Sequence, residues 1–390
     1  MNDKVYEKRF SERSAFWGVC AAALSAVCLY VFIKINEAHL WRAAGAAWVV
    51  LCLSAASLSF AARRTRLLLR VPKLRSFADW TGGLWLIFVM WSFALLLAIE
   101  TVSGLLGTEI GAASSLASSF FIAFCCVVLG VRGALNVCTT FIKIETDKLP
   151  DNIETLRIVQ LTDLHLGPSS GARQLARILR RVRETSPDMV VVTGDVTDGS
   201  LEGRSRETAM FRRIKPKYGF FAVTGNHDFY DDIEESLKFM HISGMTVLRG
   251  EAVEAGGIVV EGVDDHDHLV EDKWGLTRSE TVIVNTKSRF RDKFILLLRH
   301  RPVVEIGTEG FFDLQLSGHT HGGQIFPYPT SRLFVRGHSR GLKKLKKGSM
   351  LYTSNGAGYV GPPVRLFAPA EIVVIDLVRK EGARSAASAR

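Results

Sequence analysis

Three runs decide the fold: LRIVQLTDLHLG at 156–167, MVVVTGDVTDG at 189–199 and GFFAVTGNHD at 219–228. Each opens on a short apolar stretch rich in β-branched or aromatic residues and closes on a polar loop carrying Asp, His or Asn. Leu156–Leu161, Met189–Thr193 and Gly219–Val223 therefore read as strands. Between them, Gly171–Glu184 has the spacing of an amphipathic helix, and a second helix is predicted around Glu202–Lys215. The order βαβαβ implies right-handed crossovers in a largely parallel sheet. Later strands are predicted at Ile258–Val263, Lys293–Leu298, Leu314–Leu316, Met350–Thr353 and Glu371–Leu377. Two of these also lead into histidines, in ILLLRHR at 295–301 and LQLSGHTHGGQ at 314–324. Open α/β sheets bind ligands beyond the carboxyl ends of their strands, so all five motifs should meet in one crevice. Residues two apart on extended chain point the same way, so Asp163 with His165, and His319 with His321, can each address one site.

What converges is three or four carboxylates, one Asn carbonyl, up to five imidazoles and no sulfur. All six cysteines (Cys20, Cys28, Cys52, Cys125, Cys126 and Cys138) lie before residue 141, so the later region has neither a disulfide framework nor a thiolate metal site. The donor set is too rich in nitrogen for calcium or a lone magnesium and suits Mn, Fe, Zn or Co. It also exceeds the needs of one ion. Two ions about 3.5–4 Å apart, sharing a carboxylate, would use it in full. Taken singly, each motif has a plainer use. Asp195 or Asp198 could cap a helix, His300 could be a satisfied core histidine, and Gly-Asn-His-Asp could be a turn. Histidines two apart beside three glycines serve no packing purpose, and the five motifs together indicate a metal site. Gly194, Gly225 and Gly318 allow the tight strand-to-loop turns it needs.

Outward from this region the composition changes. The chain has 390 residues, 47% of them hydrophobic, with a net charge of +10. Residues 1–140 hold four apolar stretches free of charge, at 15–33, 43–62, 80–99 and 110–131, each near the 20 or so residues that span a bilayer. The first is too long for a signal peptide, and Lys34 and Asn36 follow it where small residues would mark cleavage. Six of the tryptophans fall mostly near the ends of the spans, as an interfacial belt would place them. Lys4, Lys8, Arg9 and Arg13 precede the first stretch, and Arg63, Arg64, Arg66, Arg70, Lys73 and Arg75 follow the second. By the positive-inside rule these segments, and the domain after Arg132, are expected in the cytoplasm. The expected organisation is a four-span anchor over 1–140, a globular domain over 141–380 and a frayed tail over 381–390, in a multi-pass inner-membrane protein. With no ionisable residue at depth, the spans read as an anchor or a lipid-presenting element rather than a proton or ion path. A basic run at 332–347 could rest on anionic headgroups or form a solvated hairpin. No interleaved aromatic platform suggests nucleic acid.

The motif set resembles the calcineurin-like metallophosphoesterase superfamily, and in particular its membrane-anchored bacterial branch, over roughly Leu156 to Leu377. A small-residue loop at 353–358, followed by PPVRL at 362–366, belongs to the resemblance. The resemblance implies an α/β four-layer sandwich, two mixed β-sheets flanked by helices, with a dimetal centre at one edge. One metal would take Asp163, His165, Asp195 and His321; the other would take Asp195, Asn226, His300 and His319, with Asp195 bridging. Mn heads the candidate metals. His227 would face the substrate and protonate the leaving oxygen or stabilise the transition state, with Asp228 orienting it. The implied chemistry is in-line attack on phosphorus by metal-bound hydroxide. Arg299 and Arg301 flank His300 where small or polar residues are usual in the family; either could bind a second phosphate, or both could pair with carboxylates. The protein-phosphatase signature is missing, because Gly199 and Ser200 follow Asp198 and Asp228 follows His227. A phosphodiester or pyrophosphate, lipid-linked in view of the spans, is the expected substrate. A UDP-diacylglucosamine pyrophosphatase, a phosphomonoesterase, a non-catalytic scaffold and a sensor are the alternatives.

Overall fold

The computed structural model describes residues 25–38, 44–45, 47–52, 54, 72–167, 170–199, 201, 203–230, 232–265, 278–305, 307–325 and 338–380. Packing divides the chain into two units, Met1–Leu129 and Gly130–Arg390.

In the first unit, α1 (Pro72–Leu106) and the start of α2 (Ala112–Leu135) are the two described helices long and apolar enough to cross a membrane. They answer to the third and fourth predicted spans, and α1 extends beyond both ends of 80–99. The expected four-helix region is thus met by two such helices. The stretches 15–33 and 43–62 lie largely outside the described residues, apart from a helix over 25–37 and helical pieces between 44 and 54. Val31, Ile35, Trp48, Val89, Leu96 and Leu116 form a shared core, and Trp48 stacks on Phe120 with ring centroids 5.3 Å apart. Lys34, just past the first apolar stretch, pairs with Glu100, just past the third, at 2.8 Å.

The second unit holds β1 (Cys138–Thr146), β2 (Thr155–Leu161), α3 (Ala172–Glu184), β3 (Met189–Thr193), α4 (Ser205–Phe211), β4 (Phe220–Val223), α5 (Ile233–Ile242) and β5 (Thr246–Val247). It continues with β6 (Glu251–Ala255), β7 (Ile258–Gly262), α6 (Arg278–Arg289), β8 (Ile295–Leu298), β9 (Leu314–Ser317), β10 (Gly341–Lys344), β11 (Met350–Thr353) and β12 (Glu371–Arg379). One sheet runs β1-β12-β2-β3-β4-β5 and the other β10-β11-β9-β8-β7-β6. Both are mixed: β2, β3, β4 and β5 are parallel while β12 opposes β2, and β7, β8, β9 and β11 are parallel while β6 and β10 oppose their neighbours.

The strands are apolar throughout because both faces are covered. Ile158, Val191, Phe221 and Ile375 of the first sheet meet Val260, Leu296, Leu298 and Leu316 of the second in a core between the sheets. On the outer face of the first sheet, Val159, Leu161, Val190 and Val192 pack on Leu175, Ile178, Leu179 and Val182 of α3. Outside the second sheet, Val259, Ile295 and Leu297 pack on Ile283 of α6. Helices, sheet, sheet and helix make the four layers. Every predicted strand is present. The differences are additions and one shortening: the helix predicted around 202–215 is limited to Ser205–Phe211, α5 and α6 were not anticipated, and β1, β5, β6 and β10 are strands beyond those predicted.

Candidate metal centre

The polar loops after β2, β3, β4, β8 and β9 meet at one edge of the two sheets. Reaching that edge strains the backbone. Of the eight described non-glycine residues with positive φ, five are Asp163, His165, Asp195, His319 and His321. Such conformations cost on the order of 1–3 kcal/mol each and persist where the surroundings fix them. Two glycines admit the crowding: a Cβ at Gly225 would stand 2.2 Å from Asp195 Oδ1, and one at Gly318 would stand 2.1 Å from Thr162 Oγ1.

The side chains form two clusters joined by one carboxylate. In the first, His165 Nε2 and His321 Nε2 are 3.1 Å apart, and His321 Nε2 is 3.2 Å from Asp163 Oδ1. In the second, His300 Nε2 is 3.2 Å from His319 Nδ1. Asp195 Oδ2 reaches both, at 3.6 Å from His165 Nε2 and 3.2 Å from His300 Nε2. All of these residues except His319 are buried. Asn226 brings a buried Oδ1 with no hydrogen-bond partner among the described residues, while its Nδ2 donates to Tyr230 Oη at 3.0 Å. Paired imidazole nitrogens, shared carboxylates and a bare amide oxygen are donor groups that fit divalent cations of the Mn, Fe, Zn and Co kind.

The titration behaviour agrees. Burial opposes charge on His300, but the touching Asp195 carboxylate outweighs it and pushes the imidazole up to about 10. His300 Nδ1 donates to the Thr193 carbonyl at 2.8 Å, so a proton and a cation would compete for Nε2. Burial takes His165 down to about 3, and burial together with the His300 charge takes His319 down to about 4. Despite burial, His321 holds Asp163 below the usual carboxylate range, and His300 does the same for Asp195.

The structure corrects one expectation, the partner of His227, and gives Arg299 and Arg301 the carboxylate partners that were the alternative to phosphate binding. Asp228 does not touch His227. It is fully buried and accepts from Thr197 N (3.0 Å), Thr197 Oγ1 (2.9 Å) and Gly225 N (2.8 Å), clamping two loops together. The carboxylate on His227 is Asp198, whose Oδ1 is 3.1 Å from Nδ1. It raises the imidazole pKa against burial. Asp198 closes the motif at 195–198, so its place at a strand end was the available signal. Arg299 is buried, donating to Glu305 at 2.6 Å and to the Val303 carbonyl at 3.2 Å, and is spent on its own loop. Arg301 makes a two-pronged pair with Asp265, at 2.9 and 3.1 Å. Two further residues had no role predicted from the sequence, although Arg365 lies in the PPVRL run at 362–366. Tyr230 stands 4.7 Å from the His227 ring, centroid to centroid. Arg365 is fully buried, donates to the carbonyls of Asn355 and Gly358 (2.8 Å each), and lies 3.1 Å from His321 Nδ1, holding that ring from behind.

Residues 156–323 match the family model of the calcineurin-like phosphoesterases. An uncharacterised metallophosphoesterase of Aquifex aeolicus is 36% identical over 265 residues, which cover 66% of this chain and 99% of that protein. A transmembrane protein with a metallophosphoesterase domain from Danio rerio is 32% identical over 64% of this chain and 60% of its own length. Among solved structures, a dimetal phosphatase from Danio rerio aligns over 52% of this chain and 87% of its own, at 14% identity and a TM-score of 0.35. The 36% identity across nearly all of the Aquifex protein, with the family motifs gathered at one sheet edge, shows that the chain belongs to the calcineurin-like metallophosphoesterases, metal-dependent hydrolases of phosphoester bonds.

Proposed function

We propose that this chain hydrolyses a phosphodiester or pyrophosphate bond of a lipid-linked substrate while anchored in a membrane. The observation that carries the chemistry is the position of Asp195 between two histidine clusters. In this reading Asp163, His165, Asp195 and His321 hold one divalent ion, and Asp195, Asn226, His300 and His319 hold the other, with Mn favoured. Bound there, the ions would polarise the phosphoryl oxygens and lower the pKa of a water.

The chain's own groups do the rest. Asp198 accepts from His227 Nδ1–H, which fixes the ring and favours a proton on Nε2, where it can pass to the leaving oxygen. The backbone N–H of His227 donates to Asp195 Oδ1 at 2.8 Å, so the acid and the bridging carboxylate keep a fixed spacing. Tyr230, tied to Asn226 and packed beside His227, lines the approach.

The membrane part rests on the two apolar helices and on the charge bias of the loops. The Lys34–Glu100 pair supports it as well, since it brings together the ends of two apolar stretches that the charge bias assigns to the same side. The test is hydrolysis by the detergent-purified full chain, with Mn, of bis(p-nitrophenyl) phosphate and of p-nitrophenyl phosphate. Diester cleavage abolished by chelator is expected. A preference for the monoester would contradict the substrate class.

A further inference from the structure

At the end of α2 the chain carries a second polar site that uses none of the groups described above. A cleft of about 280 Å³ is lined by Arg132, Asn136, Arg177, Arg180 and Arg181, with Leu135 and Val137. Four guanidinium groups and an amide face it, and no carboxylate is among the lining residues. Its geometry follows from two helices. On α3, Arg177, Arg180 and Arg181 are three and four residues apart, so they share one stripe. Arg132 stands on the last turn of α2, and no charged residue precedes it in that helix.

The cleft is built rather than incidental. Gln174 Nε2 donates to the Ala134 carbonyl at 3.1 Å, and Arg181 Nε donates to the Val137 carbonyl at 3.2 Å, so α3 is bolted to the chain leaving α2. Gly130 and Gly133 carbonyls accept from Arg365 N and Ala370 N, which ties the same turns to the loop before β12. The charge is only partly offset. Glu184 pairs with Arg181 at 3.1 Å and lies 3.7 Å from Arg180. Among the described residues neither Arg132 nor Arg177 has a carboxylate partner, and Arg177 donates only to the Gln174 amide oxygen. Like charges at this helical spacing repel, and an anion between them would relieve that repulsion. Guanidinium forks suit phosphate oxygens in particular.

We propose that this cleft binds the phosphate of an anionic membrane-lipid headgroup. Reading α2 as a membrane span, on which this proposal rests, puts Arg132 where an apolar helix leaves the hydrocarbon and meets headgroup phosphates. The site is separate from the metal centre and would hold the catalytic domain against lipid of one charge type.

The test uses the full chain in detergent, offered equal amounts of phosphatidylglycerol and phosphatidylcholine, with retained lipid read by native mass spectrometry. Wild type should keep phosphatidylglycerol about tenfold over phosphatidylcholine, and Arg132→Gln/Arg177→Gln should lose that preference. Metal content should be unchanged, and Arg177→Gln alone repeats the test should the double variant unfold more readily. Equal retention of the two lipids, or undiminished phosphatidylglycerol in both variants, would overturn the proposal. Inorganic phosphate stabilising the wild type against heat as well as phosphatidylglycerol does would assign the cleft to free phosphate and overturn the lipid reading. Release of the chain from membranes by alkaline carbonate would strike the membrane reading itself, a failure distinct from loss of lipid preference.

Discussion

The two sheets supply different things to the metal centre. The first sheet contributes every carboxylate: Asp163 after β2, Asp195 and Asp198 after β3, and Asp228 after β4. The second contributes only imidazoles: His300 after β8, and His319 and His321 after β9. The acids also do structural work. Asp163 accepts from the backbone N–H of His319, 3.0 and 3.1 Å from its two oxygens, Asp195 accepts from that of His227 at 2.8 Å, and Asp228 from those of Thr197 and Gly225. The first sheet therefore provides both the charge that attracts cations and the ties that keep the loops in place. The second offers lone pairs whose loss leaves those ties standing.

Substitution should separate these roles. The largest effect is expected for Asp195→Asn, which removes the shared carboxylate. Activity should fall by more than about a hundredfold, and both metal equivalents should be lost on elemental analysis. His227→Ala should lower turnover by about 10²–10⁴ while metal stays bound, since it deletes a proton donor and no ligand. Asp198→Asn should move the alkaline limb of the pH profile to lower pH without changing metal content, because the carboxylate holds on His227 the proton that the general acid must keep. Asp228→Asn should cost about 1–3 kcal/mol of stability through unmatched N–H groups, seen in thermal unfolding, with metal content kept. Metal loss equal to that of Asp195→Asn would contradict the clamp role.

An effect confined to one pH window, and without consequence for metal or turnover, is expected inside the second sheet. Glu261 on β7 is fully buried, both its oxygens lack a hydrogen-bond partner among the described residues, and burial pushes its pKa up to about 7 from 4.5. Between those values the unfolded chain has released the proton that the folded chain keeps. Stability therefore falls as pH rises through that window, by roughly 3 kcal/mol, and is level above it. Glu261→Gln should flatten this part of the unfolding-versus-pH curve. An unchanged slope would mean that Glu261 is not the group responsible.

Much of this was legible in the sequence, for identifiable reasons. Strands buried on both faces are continuous apolar runs such as Met189–Thr193 and Ile295–Leu298, and the parallel order then sends every strand-end motif to one edge. What stayed hidden depends on long-range packing. Asp198 and Asp228 both follow strand ends, and nothing in their spacing shows which one reaches His227. Arg365 lies 44 residues from the histidine it supports, and only the folded loop brings the two together. Arg299 and Arg301 alternate around His300 as extended chain requires, but their partners Glu305 and Asp265 come from loop geometry.

The most direct test of the account is the metal stoichiometry of the purified full chain, measured beside that of Asp195→Asn and His227→Ala. Two divalent ions per chain are predicted for the wild type and for His227→Ala, with near-complete loss in Asp195→Asn. A single ion in the wild type, or equal loss in the two variants, would contradict a paired site joined through Asp195.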